Sequence, residues 1–194
     1  MKLDILIKNG HVIDTYTDID GIKDIGIVDN KIIEITDSKI KCDNIINAKG
    51  CYVLPGLVDF HNHIYYGGSG WGINPEWLLA TGTTSVVDPG TSGCANYEAF
   101  RRSIISNTKM HIKSFISVFS GGLLDINLHQ DYNPELYNEK SIRILKSLYN
   151  DDILGLKIML SKNIIGDDAL NKLNKVIELA EKVGGLSVCV HTTD

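Results

Sequence analysis

No run of 18 apolar residues occurs in this 194-residue chain, so no transmembrane helix is expected. There is also no excess of positive charge. Nineteen basic residues stand against 24 acidic ones, a formal charge of −5, whereas a nucleic-acid or anionic-membrane partner would favour a basic patch. Cysteine is sparse and unpatterned. Cys42, Cys51, Cys94 and Cys189 show no C-x-x-C spacing, which argues against a disulfide framework or zinc ribbon and for reduced thiols in the cytoplasm. Residues 1–8 are too short and too charged a stretch for a signal peptide. Low-complexity tracts and simple short repeats are missing too. What remains is the ordinary composition of a globular protein.

The chain reads in two parts. Residues 1–54 look all-β. A strand over 3–8 ends at the turn dipeptide Asn9-Gly10, and a second follows over 11–14. Another reaches the turn signal Asp29-Asn30 and continues over 31–35, and a last strand and turn fall within 45–54. From Pro55 the grammar becomes alternating strand and helix. Strands are predicted over 58–64, 83–88, 112–119, 154–160 and 186–191, and helices over 75–80, 95–106, 139–149 and 168–183. The last helix is the clearest: Leu170, Leu173, Val176, Ile177 and Ala180 recur at helical spacing, with Asp167 placed to cap its start and Gly184 to end it. Five β units joined by helices argue for a parallel sheet wound in one direction. An open doubly wound sheet stays possible, but polar residues at the carboxyl ends of several strands favour a barrel.

Those polar residues carry the chemistry. Pro55-Gly56-Leu57-Val58-Asp59-Phe60-His61-Asn62-His63 places two histidines two residues apart at the end of an apolar strand. Alternation puts both on one side, with backbones roughly 6.5 Å apart, which lets two imidazoles converge on one metal at about 2.0–2.1 Å. In 153–160, parity puts Gly155, Lys157 and Met159 on one face and aliphatic residues on the other. A lysine mid-strand is costly to bury unless paired or neutralised; otherwise it sits near the strand end and snorkels to water. His191 closes 186–190 on the face shared by Ser187 and Cys189. Alone it would read as structural, but it repeats the placement of His61, His63 and Lys157. Asp59 shares the parity of the two histidines. Asp88 precedes Pro89-Gly90. Either carboxylate is a candidate to orient a ligand imidazole, although Asp88 equally suits a turn. The loop holding Gly67, Gly68, Ser69 and Gly70 is a candidate for substrate contact, as are residues 91–96 and 121–132. Trp71 and Trp77 suit packing or a pocket wall. His11, His111 and His129 have no comparable setting, though His129 could reach substrate from its loop. Arg101 and Arg102 read as solvated.

With that motif, Lys157 and His191 in place, the chain resembles the amidohydrolase superfamily, and is most similar to its dihydroorotase-like and deacetylase branch. Residues 80–93, Ala-Thr-Gly-Thr-Thr-Ser-Val-Val-Asp-Pro-Gly-Thr-Ser-Gly, add to the likeness. The resemblance implies a (β/α)8 barrel over 55–194, present only to its fifth strand, preceded over 1–54 by part of a small β-sandwich. It implies that His61 and His63 bind one divalent ion, that Lys157 is carboxylated by carbon dioxide and bridges two ions, zinc by preference, and that His191 binds the second. It implies hydrolysis of an amide, cyclic amide or acyl ester of a small molecule by metal-activated hydroxide. A dihydroorotase or a mononuclear deaminase is the alternative within the family; Lys157 speaks against the latter.

A barrel of this type takes about 250 residues, and 55–194 falls well short. The pattern's strand-six histidine and strand-eight general-base aspartate would lie beyond Asp194. The reading is therefore of a chain inactive alone, with an open edge that invites self-association or pairing with a matching C-terminal half. The competing reading is a non-catalytic fragment that binds metal weakly.

Overall fold

The computed structural model describes residues 2–33, 41–124 and 130–193. They form two compact units, Met1–Gly56 and Leu57–Asp194.

The first unit is built of strands β1 (Lys2–Leu3), β2 (Ile5–Asp14), β3 (Ile19–Val28), β4 (Lys31–Ile33), β5 (Lys41–Cys42), β6 (Ile45–Asn47) and β7 (Tyr52–Val53). Its main sheet runs β4-β3-β2-β6, with β7 also on β2, while β1 pairs with β5. Asp29 and Asn30 both take positive φ, 50° and 60°, the geometry of a tight hairpin turn between β3 and β4. Residues 34 and 35, expected to extend β4, lie outside the described residues. Asn9-Gly10 departs from expectation. β2 runs straight through it, and both flanks pair with β3 across a register shift between Ile7 and Gly10. The left-handed Asn9, at φ 62°, is absorbed as a bulge rather than a reversal. Asp24 holds it there, its Oδ1 accepting from Asn9 N at 2.9 Å.

The second unit alternates strand and helix: β8 (Leu57–Asp59), α1 (Glu76–Leu79), β9 (Thr83–Gly93), α2 (Tyr97–Ser103), β10 (His111–Ser117), α3 (Glu139–Leu148), β11 (Ile153–Met159), α4 (Lys162–Ile165), α5 (Ala169–Lys182) and β12 (Ser187–His191). Short 3-10 turns occupy Ile105–Asn107 and Pro134–Leu136. The sheet order is β12-β11-β10-β9-β8, parallel throughout. It curls into half a barrel. Parity does the sorting. Leu156 and Ile158 of β11 are fully buried with Ile116, Val176 and Leu179, each such side chain contributing roughly 1.5–3 kcal/mol on burial. Lys157 and Met159 face the opposite way.

Three details correct the sequence reading. The first strand stops at Asp59, so His61 and His63 stand on the turn beyond it rather than on alternating strand positions. The Asp59 carboxylate takes the His61 N–H at 3.0 Å, satisfying locally a group that a ladder would otherwise use, and the Asn62 side-chain amide at 2.9 Å. In α5 the buried stripe is Val176, Leu179, Ala180 and the following Val183, while Leu170 is 77% exposed and Ile177 is also exposed. Residue 168, not 167, precedes that helix; Asp167 instead pairs with Lys162 at 3.3 Å. Gly184 does follow the helix, at φ 119°.

Candidate functional site

A cavity of about 700 Å³ opens in the second unit, with His61, His63, Lys157 and His191 all in its wall. They arrive from three elements: the turn after β8, the middle of β11 and the end of β12. The rings of His61 and His63 lie edge to face with centroids 5.8 Å apart. Lys157 and Cys189 are register partners across β11 and β12, and Met159 is opposite His191. Trp71, Leu123 and Met159 supply apolar wall, and Gln130, Ser161 and Asn163 supply polar wall.

Each group is held by its local backbone. Asp59 fixes the turn at His61 through the main chain and makes no bond to an imidazole. His63 Nδ1 lies 2.7 Å from Thr91 Oγ1. That hydroxyl donates to Asp88 Oδ2, also at 2.7 Å. Asp88 is fully buried at the point where β9 turns past Pro89. It accepts from Gly90 N, Thr91 N and Ile64 N as well, so it tightens the β9 turn and binds the backbone just after His63. Lys157 is 5% exposed, and its Nζ contacts Cys189 Sγ at 3.5 Å. Among the described residues no carboxylate pairs with it. His191 is half-buried, and its carbonyl accepts from Leu160 N at 2.7 Å.

The electrostatics favour uncharged imidazoles. Burial, then the neighbouring His61, Lys157 and His191, push His63 down to about 4. Burial, then Lys157 and His191, lower His61. At neutral pH both therefore keep a nitrogen lone pair free. Burial raises Asp88, against four donated hydrogen bonds that favour its ionised form. Asp59 is lowered by its bonds from Asn62 and His61.

Other candidates fall elsewhere. Gly68 is not in the cavity wall; a Cβ there would stand 2.1 Å from the Tyr65 ring, so glycine is required by packing. Trp77 is exposed against Tyr66. His11 lies in the first unit beside Asp20, and His111 begins β10 at the opposite strand end. His129 lies outside the described residues. Thr91 and Gln130 fall within the candidate loops 91–96 and 121–132, while Ser161 and Asn163 were not singled out. The one available signal was position: each is near a strand's carboxyl end or in the loop that follows, where such sites collect.

Neutral imidazoles and a buried amine without a counter-ion suit divalent-metal chemistry. Among the described residues, however, no three His, Cys, Asp or Glu side chains gather to hold a metal by themselves. Among the described residues the wall offers nitrogen donors and no carboxylate.

No protein-family model matches the sequence. The chain is 38% identical over 146 residues to a deacetylase of Agrobacterium fabrum, covering 71% of this chain and 35% of that protein. It is 38% identical over 144 residues to a dihydroorotase of Ruminiclostridium cellulolyticum, covering 70% and 32% respectively. Its fold matches the crystal structure of a dihydroorotase with a TM-score of 0.86 at 24% identity, over 98% of this chain and 51% of that one. The chain thus spans about half the length of that dihydroorotase and about a third of the two curated relatives. By sequence it is related to part of this deacetylase and this dihydroorotase, and it shares the fold of about half of the dihydroorotase structure. Among the described residues no helix is long and apolar enough to cross a membrane.

Proposed function

We propose that the second unit carries the metal-binding part of an amidohydrolase-type active site on a partial (β/α)8 barrel. The whole enzyme would hydrolyse an amide, cyclic amide or acyl ester of a small molecule. The first unit would form part of a small β-sandwich. The observation that carries the reading is the meeting of His61, His63, Lys157 and His191 in one cavity from three separate elements.

In this reading His61 and His63 hold one divalent ion and His191 a second, zinc in both cases. Lys157 supplies the missing anion. Its amine attacks carbon dioxide, a C–N bond forms, one proton leaves, and the carbamate offers two oxygens where an ammonium offers only donors. Cations bound there would acidify a water and polarise the substrate carbonyl. The protein's own task is to keep the imidazoles deprotonated, to exclude bulk water with Trp71, Leu123 and Met159, and to orient a polar substrate group with the Gln130 and Asn163 amides. Among the described residues no carboxylate lines the cavity. The chain alone is then expected to bind metal with little turnover.

The test is zinc content after equilibrium dialysis, with ¹³C NMR in ¹³C-bicarbonate. The wild-type chain should retain zinc and show a carbamate resonance. His61→Ala with His63→Ala should lose the zinc, and Lys157→Ala should lose the resonance. A wild-type chain that retains no zinc, or zinc indifferent to both histidines, overturns the reading.

A further inference from the structure

We propose that Thr91 is a positioning residue that fixes the tautomer of His63. Its hydroxyl has one proton, and the buried Asp88 claims it. Three backbone N–H groups, from Ile64, Gly90 and Thr91, already converge on the two carboxylate oxygens. With Gly90 N and Thr91 N on Oδ1 and Ile64 N on Oδ2, both oxygens are already engaged as acceptors. The Thr91 hydroxyl therefore donates to Asp88 Oδ2 at 2.7 Å, which leaves its lone pairs for His63. At the 2.7 Å separation of Thr91 Oγ1 and His63 Nδ1, only a proton on Nδ1 completes a bond. His63 is thus held as the Nδ1–H tautomer, with its Nε2 lone pair available.

The chain of bonds runs from the buried interior to the half-buried His63. Thr91 and Asp88 are fully buried, and Asp88 also binds the main chain on both sides of the contact. The relay passes from β9 to the turn that carries His63, so one carboxylate sets both the loop and the ring. This extends the metal-centre reading, in which a ligand imidazole's second nitrogen is anchored by an outer partner worth about 10–100-fold in metal affinity.

The experiment measures the imidazole tautomer by long-range ¹H–¹⁵N correlation in the metal-free 194-residue chain, followed by zinc titration. Wild-type His63 is expected as Nδ1–H. Thr91→Val, which keeps the shape and removes the hydroxyl, should shift the population toward Nε2–H and weaken zinc binding at least about tenfold. Thr91→Ser should restore both. Wild-type His63 found as Nε2–H, or a tautomer unmoved by Thr91→Val, overturns the inference, and the wild-type spectrum decides even if the valine variant fails to fold. The correct tautomer in a chain that never retains zinc would uphold the tautomer assignment and sink the metal-centre reading instead. Zinc retained with the wrong tautomer would do the reverse.

Discussion

Gly90 lies against the stem of Lys157: a Cβ built on it would stand 2.5 Å from Lys157 Cβ and 2.7 Å from Cγ. Its φ of 90° is a second barrier, since an L side chain rarely adopts that conformation. Gly90→Ala is therefore expected to cost roughly 1–3 kcal/mol of stability from the backbone strain alone. Lys157 lines the cavity and Gly90 packs against its stem from β9, so relief of the contact must displace the lysine stem. Thermal unfolding and zinc titration of the variant check both effects. Unchanged melting and unchanged affinity would show that the contact is dispensable.

Lys157 itself is held at a cost. An amine buried without a carboxylate partner, held only by a 3.5 Å contact to Cys189 Sγ, is incompletely compensated for its lost water. Lys157→Met preserves the stem and removes the polar head, so the metal-free variant should unfold at higher denaturant concentration, by about 1 kcal/mol of stability. The same variant should give no carbamate resonance. Paired urea titrations of both proteins measure the difference. A less stable methionine variant would mean that the lysine contributes to the apo fold.

The sequence exposed the alternation of strand and helix from residue 57 onward because hydrophobic period and length are strong local signals. It exposed the convergence of four polar residues because parallel strands in one sheet share their carboxyl ends. What stayed hidden depends on side chains that replace backbone partners. Asp59 shortens its strand by capping the His61 N–H, a choice invisible to a pattern of apolar residues. Asn9-Gly10 reads as a hairpin turn in isolation, yet β3 pairs with both flanks and makes it a bulge. Leu170 and Ile177 fit the helical period, but the face that packs lies a step around the helix, through Leu179 and Val183. Thr91 read only as part of a substrate-contact loop, because a threonine after Pro-Gly resembles any loop residue until Asp88 and His63 are seen on either side of it.

Tyr97 gives the fold an alkaline limit. It is fully buried against Phe100 and Tyr149, and burial pushes its phenol up to about 12. The unfolded chain releases that proton near pH 10, while the folded chain holds it longer. The contribution is therefore complete below pH 10 and is lost as pH rises from 10 through about 12. Tyr97→Phe gives up a hydroxyl whose partner, Ser114 Oγ, is 3.4 Å away, so it should change stability little at pH 7. Between pH 10 and 12 the variant should lose stability less steeply than the wild type. Denaturant midpoints across that range give the two slopes directly, and parallel slopes would refute the assignment to Tyr97.

Asp59 should act on the site by clamping the turn, through the His61 main chain and the Asn62 side chain. Its Oδ1 accepts the His61 N–H and its Oδ2 accepts the Asn62 amide. Asp59→Asn retains an oxygen for His61 N and loses only the second bond. Asp59→Ala loses both, leaving the turn between β8 and His63 without its internal cap. Each bond of this kind contributes about 0.5–1.5 kcal/mol, so the alanine variant should be the less stable of the two. Zinc affinity should follow the same order, near wild type for asparagine and about tenfold weaker for alanine. If the aspartate instead acted through an imidazole, the asparagine variant would be impaired as severely as the alanine one. Zinc titration of the pair therefore separates a backbone clamp from a direct partner of a ligand ring.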